Sequence, residues 1–158
     1  MRICFVCLGN IVRSPLAENL FLHLAKEAGV AQRYQVASAG TSAYHVGESP
    51  DSRMREVARA HGLVYDGSSR QFRRGDFKNF DLIIAMDAHN RRDLRHLAFS
   101  AEEGEKISLM REFDPQGSPD AGVPDPYYGG VEGFEKVYRI VERSCQGLLA
   151  TLEREGHS

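Results

Sequence analysis

The chain has 158 residues, 42% of them hydrophobic and 27% charged, the balance of an ordinary globular protein rather than a disordered or fibrous one. A formal net charge of −2 supplies no global attraction to nucleic acid or to an anionic membrane. The longest apolar run, Ile3 to Leu8, is far shorter than the roughly 20 residues of a membrane span and too short for a signal-peptide core, so a cytoplasmic single domain over 1–158 is expected.

Strand and helix signals alternate along the chain. Residues 2–7 (RICFVC) are apolar and β-prone and read as a buried strand. Ser14-Pro15 opens a helix, with Leu16, Leu20, Leu24 and Ala28 as its apolar face and Gly29 as its end. Tyr34 to Ala39 reads as a second strand. Asp51 caps a helix carrying Met54, Val57, Ala58 and His61, stopped by Gly62. Asp81 to Met86 (DLIIAM) is another fully apolar strand, a helix follows from Asp87 to about Leu97, and Lys106 to Met110 is a weaker fourth strand. Arg111 to Gly130, rich in Asp, Pro and Gly, reads as one long loop, and loops of that length are usually functional. The last helix spans roughly 131–155, with Phe134, Val137, Val141, Cys145, Leu148 and Leu152 at helical spacing. This alternation predicts an α/β fold, a four-stranded parallel sheet with helices on both faces. Its site should lie beyond the carboxyl ends of the strands.

The segment between the first strand and the first helix carries the chemistry. Cys7 is followed by Leu8, Gly9, Asn10, Ile11, Val12, Arg13 and Ser14. A tight loop here turns successive backbone N–H groups inward, and the helix N-terminus adds partial positive charge, which makes a phosphate-sized anion site. Gly9 and Asn10 are residue types that tolerate positive φ. Arg13 closes the cradle with a planar fork for two phosphate oxygens. A cysteine at the base of such a cradle sits in a positive field that favours the thiolate. Ser14 is placed to donate to that thiolate, and the Asn10 amide to hold the loop's shape. A thiolate beneath a site for a tetrahedral anion points to attack at phosphorus. The competing reading is a buried strand-end Cys7 with Arg13 paired to a nearby carboxylate.

Cys4-x-x-Cys7 also matches a zinc or thioredoxin pair. Zinc needs two further ligands and only Cys145 remains. A redox pair belongs at a helix start, whereas three residues apart on a strand the two side chains point to opposite faces. Cys4 and Cys145 therefore read as core. The six histidines show no metal-ligand spacing, His61 reads as a helix-end cap, and no metal or cofactor is expected. An alcohol or phenol leaving group wants a proton. Asp114, Asp120 and Asp125 are available, and spacing alone does not choose among them, although Asp125 precedes Pro126, Tyr127 and Tyr128. Those tyrosines, with Tyr44 opposite, either wall a slot for an aromatic substrate or cover the sheet edge. Arg70–Arg74 and Arg91–Arg95 read as solvated surface rather than a nucleic-acid patch, with Arg53 or Arg91 as candidate tuners of the slot mouth.

CLGNIVRSPLAE after the first strand, SAGTSAYHVG at 38–47, RQF at 70–72, AMD at 85–87 and DPYYG at 125–129 resemble the low-molecular-weight protein tyrosine phosphatase family, over essentially the whole chain. The resemblance implies hydrolysis of phosphotyrosine and small aryl phosphates through a phosphocysteine, without metal or cofactor. Cys7 would be the nucleophile. Leu8, Gly9, Asn10, Ile11, Val12 and Arg13 would bind the phosphoryl group, with Arg13 stabilising the transition state. Ser14 would stabilise the thiolate as leaving group, and Asn10 would order the loop. Asp125 would be general acid, then general base for water. Ile11, Tyr44, Tyr127 and Tyr128 would line the substrate pocket, where a bulky Ile11 differs from the Thr of phosphoarginine phosphatases. The implied partners are phosphotyrosine-containing proteins and a cognate tyrosine kinase, with Tyr127 or Tyr128 as phosphorylation sites themselves. Two departures stand out. Val12 occupies the place of a second loop cysteine that protects against oxidation, leaving Cys4 as the only nearby substitute. Gly67 occupies the place of a histidine that braces the loop. The rivals are an arsenate reductase or phosphoarginine phosphatase on the same fold, and a non-hydrolytic phosphotransfer or phosphate-sensing module.

Overall fold

A computed structural model describes residues 1–118 and 120–156. Strands β1 (Arg2–Cys7), β2 (Gln35–Gly40), β3 (Leu82–Ala85) and β4 (Ile107–Leu109) form one sheet in the order β2-β1-β3-β4, every pairing parallel. The chain leaves β1 toward β2 on one side and reaches β3 on the other. The connections therefore diverge above the carboxyl ends of β1 and β3, which opens the crevice where such sheets carry their sites.

The helices are α1 (Arg13–Glu27), α2 (Ser52–Ala60), α3 (Ala88–Leu97), α4 (Ala101–Glu105) and α5 (Val131–Arg154). Because side chains alternate along a strand, Ile3, Phe5 and Cys7 of β1 join a core with α1, α2 and α5. Cys4 and Val6 join a second core on the opposite face, with Phe72, Phe77 and Leu94. A central strand buried on both faces has to be apolar almost throughout, as RICFVC is. Each large side chain in these cores contributes about 1.5–3 kcal/mol by leaving water.

The expected strands and long helices are present, with ends shifted by a residue or two. The apolar face of α1 differs from the expected one. Leu16 and Leu20 are buried, but Leu24 is half-buried and Ala28 exposed. Steps of four overshoot a 3.6-residue turn by roughly 40° each, so the stripe walks off the core. After its buried first residues Arg13, Ser14 and Pro15, the helix buries Leu16, Ala17, Leu20, Phe21 and Ala25. His61 lies outside the apolar face of α2. It stacks on Tyr138, centroids 4.1 Å apart, and hydrogen-bonds Glu135 at 2.7 Å. Helix α4 buries no residue, so it has no stripe to betray it in the sequence. The expected long loop opens with a 3-10 turn, Met110–Phe113, and its residue 119 lies outside the described residues. Arg70–Phe72 is more than solvated surface: Gln71 bridges Gly40, and Phe72 N–H donates to Gly40 at 2.7 Å, extending β2. Among the described residues no helix is long and apolar enough to cross a membrane.

Candidate active site

The loop from Cys7 to Arg13 is wrapped from outside. Its carbonyls are taken by Thr41 N–H on Cys7 (2.9 Å), Ser42 N–H on Leu8 (2.9 Å), Ser69 Oγ on Gly9 (2.9 Å) and Asp51 N–H on Ile11 (2.7 Å). A trans peptide opposes its C=O to its N–H, so each carbonyl drawn outward turns the next N–H inward. That applies to Leu8, Gly9, Asn10 and Val12, and the Asn10 N–H is seen to donate to Cys7 Sγ at 3.2 Å. Close wrapping needs Gly40, where a Cβ would stand 2.7 Å from the Leu8 carbonyl.

Asn10 is the one described non-glycine residue with positive φ, 56°, which short polar side chains tolerate. Its amide is fully used. Nδ2 donates to Ser14 Oγ (2.9 Å) and Ser38 Oγ (3.0 Å), and Oδ1 accepts from Arg70 N–H (3.0 Å). Ser14 Oγ in turn lies 3.0 Å from Cys7 Sγ. Since Asn10 already donates to that oxygen, the hydroxyl proton has two acceptors in reach, the Cys7 sulfur and the Ala39 carbonyl at 3.3 Å. Cys7 itself is only 2% exposed, at the floor of the cradle.

Arg13 is 2% exposed, a guanidinium that burial would penalise without partners. Its Nη1 donates to Asp87 Oδ2 (2.7 Å) and to the Val123 carbonyl (2.9 Å), and its Nη2 lies 3.6 Å from Asp125 Oδ2. Asp87 Oδ1 also accepts from Asn90 N–H at 2.8 Å, so one carboxylate caps α3 and orients the arginine. Above the loop opens a cavity of about 550 Å³, lined by Cys7, Ile11 and Arg13 at its base and by Tyr44, His45, Asp125, Tyr127 and Tyr128 around it. The tyrosines thus form walls of a cavity rather than a cover over the sheet edge. His45 stands between them, its ring 4.8 Å from Tyr44 and 5.9 Å from Tyr127.

The structure separates the three candidate aspartates. Asp125 lines the cavity. Asp114 has a fully buried carboxylate paired with Arg111 (3.1 Å) and Arg143 (3.2 Å), and Asp120 is exposed and absent from the cavity walls. Arg53 is placed beside Tyr127, 5.1 Å from its ring, whereas Arg91 lines no part of this cavity. Sequence reasoning missed Ser38, Asp87, His45 and the Val123 carbonyl. For Asp87 a signal existed, an aspartate closing an apolar strand at a helix start; for His45 there was none.

The profile of the family described as low molecular weight phosphotyrosine protein phosphatase matches residues 2–158. The chain belongs to that family. It is 43% identical over 155 residues to a low molecular weight protein-tyrosine-phosphatase of Streptomyces coelicolor, covering 98% of this chain and 94% of that one. The crystal structure of a protein tyrosine phosphatase from Entamoeba histolytica superposes with a TM-score of 0.93 at 41% identity, covering 99% of both chains. That of a Drosophila arginine phosphatase gives 0.89 at 33% identity, covering 97% of this chain and 98% of the other. By homology the chain is thus a low molecular weight protein-tyrosine phosphatase. As such it departs from the expected pattern in two structural ways. Val12 is 4% exposed and lines the cavity beside Cys7, while Cys4 lies across the sheet, so Cys4 is no substitute for a loop thiol. Beside Gly67 is a cavity of about 240 Å³ that Asn10, Glu18 and Ser38 also line. Here Ser38 donates to Glu18 at 2.7 Å, and burial raises the Glu18 carboxyl above its ordinary range. Asn10 is braced by Ser14, Ser38 and Arg70 instead. Among the described residues no cluster of His, Cys, Asp or Glu is arranged to hold a metal ion.

Proposed function

We propose that the enzyme hydrolyses phosphotyrosine in proteins, and small aryl phosphates, in two steps through a phosphocysteine. The observation that carries the reading is the stacking of Cys7 Sγ, the inward N–H groups, Arg13 and the Asp125 carboxylate around one cavity. In the first step the Cys7 thiolate attacks phosphorus, the bond from phosphorus to the tyrosyl oxygen breaks, and Asp125 gives that oxygen its proton. The loop N–H groups and Arg13 hold the equatorial oxygens as their charge is spread. In the second step water attacks phosphorus and passes a proton to Asp125. The S–P bond breaks, and Ser14 receives the departing thiolate with a hydrogen bond. Inorganic phosphate leaves.

Tyr44, Tyr127 and Tyr128 support an aromatic substrate, and Ile11, 6% exposed, presents an apolar shoulder to its ring. The corresponding partners are phosphotyrosine-containing proteins and the kinase that makes them, in the cytoplasm. An arsenate reductase needs further thiols at the site, and Cys4 and Cys145 are both buried and line no part of the cavity. Turnover settles the matter. Cys7→Ser is expected to be inactive. Asp125→Asn should lower kcat/KM on phosphotyrosine by about 10²–10³, within the range of a general acid, and far less on an aryl phosphate whose leaving group needs no proton. Equal loss on both, or faster turnover of phosphoarginine than of phosphotyrosine peptides, would overturn the reading. Undiminished turnover after chelation is the expected result for metal-independent chemistry.

A further inference from the structure

We infer that Arg53 is a positioning residue that holds the Asp125 carboxylate over the phosphate loop, an inference that rests on the role of Asp125 proposed above. Tyr127 is gripped at both of its peptide groups. Its N–H donates to Asp125 Oδ1 at 3.1 Å, so the turn orients the carboxylate. Its carbonyl accepts from Arg53 Nη1 at 2.9 Å. The guanidinium also lies 5.1 Å from the Tyr127 ring and 4.7 Å from that of Phe134 on α5, which favours a planar cation over an ammonium.

Arg53 is itself anchored. Its Nε and Nη2 fork onto the Asp51 carboxylate at 3.1 and 2.8 Å, the bidentate geometry that fixes orientation as well as distance. Asp51 also accepts from Arg53 N–H at 2.8 Å and caps α2. The Asp51 N–H donates to the Ile11 carbonyl at 2.7 Å, in the phosphate loop. Five residues therefore form a continuous strut, Ile11–Asp51–Arg53–Tyr127–Asp125. It spans from the loop that binds the anion to the group that protonates the leaving oxygen. Arg53 does not line the cavity, so it acts through Asp125 and not on substrate. Without the strut, Asp125, an exposed residue in a segment poor in regular structure, has among the described residues only its contact with Arg13 at 3.6 Å to aim it.

The test is a double-mutant cycle read on two substrates, phosphotyrosine and an aryl phosphate with a leaving group of low pKa. Arg53→Met keeps the apolar stem and removes every side-chain donor, leaving the backbone N–H on Asp51. It should lower kcat/KM on phosphotyrosine by about tenfold or more, part of what a general acid supplies, and change the good-leaving-group substrate by less than about threefold. Arg53→Lys should recover part of the loss. In an Asp125→Asn background, Arg53→Met should add nothing. Competitive inhibition by inorganic phosphate should stay within about twofold of the parent, because the anion cradle is intact. Equal loss on both substrates, additive loss in the cycle, or weakened phosphate binding would each overturn the strut. If Asp125→Asn alone leaves the two substrates equally affected, the role of Asp125 fails and the strut with it. If Asp125→Asn separates them and Arg53→Met does not, only the strut fails.

Discussion

Val12 leaves Cys7 without a protective thiol. Cys145 is buried on α5, its Sγ facing the Ala17 carbonyl at 3.6 Å, and Cys4 packs on the other face of the sheet, where burial pushes its thiol up to about 12. A sulfenic acid formed at Cys7 therefore has no neighbouring sulfur with which to condense, and further peroxide carries it to the irreversible sulfinic acid. Peroxide inactivation should thus recover only slightly on adding thiol. Val12→Cys, a change of similar volume, should restore recovery and yield, by mass spectrometry, a disulfide between Cys7 and the introduced thiol. Full rapid recovery of the parent would contradict this. At the same scale, Asn10 shows how one side chain joins loop shape to chemistry, since its amide links Ser14, Ser38 and Arg70 while its backbone N–H faces the sulfur.

Among the elements, α5 lies closest to the segment that completes the site. At Gly147 a Cβ would stand 1.8 Å from the Phe113 carbonyl oxygen, so the glycine is what lets α5 seat against the 3-10 turn Met110–Phe113. Replacing an exposed helix glycine by alanine ordinarily stabilises by about 1 kcal/mol. Here the sign reverses, because backbone must move. Gly147→Ala should destabilise by about 3 kcal/mol, seen as a fall in Tm of about 10 °C. A variant with raised Tm would show that α5 can slide without loss. The contact bears on function, since the segment beyond that turn brings the Val123 carbonyl to Arg13.

Across the whole molecule the acid response follows from carboxylates held in the ionised form by hydrogen bonds. Burial alone would raise the Asp114 carboxyl, but hydrogen bonds from Arg143, Gln116 N–H and Arg111 hold it below its ordinary value. The N–H of Arg2 does the same for Asp81 at the start of β3. A carboxyl with a depressed folded pKa binds more protons when the chain unfolds. Its stabilisation is therefore present above the unfolded value and is lost as pH falls through the folded one. Stability to urea should hold from neutrality down to about pH 5 and fall steadily below about pH 4. Asp114→Asn leaves two guanidinium groups without their counter-charge. It should cost about 3 kcal/mol at pH 7 and flatten the acid limb. An unchanged acid limb in that variant would assign the response to other carboxylates.

Local signals were enough for much of this protein. The buried strand, the cap at Asp51, the helix start at Asp87 and the stripe of α5 are properties of a few consecutive residues, because backbone geometry repeats over short periods. The candidate site was readable to the same extent, since Cys7 to Ser14 is one contiguous loop whose residue types carry their own geometry. Tertiary structure alone decided what distant segments bring to it. It set Asp125 in the cavity wall and Asp114 and Asp120 away from it, brought Asp87 and the Val123 carbonyl to Arg13 and Ser38 to Asn10, and set Arg53 beside Tyr127. That Cys4 and Cys7 lie on opposite faces was, by contrast, legible from strand alternation. Contacts between residues some 70 to 110 positions apart depend on sheet order and crossover paths, and no local period records those.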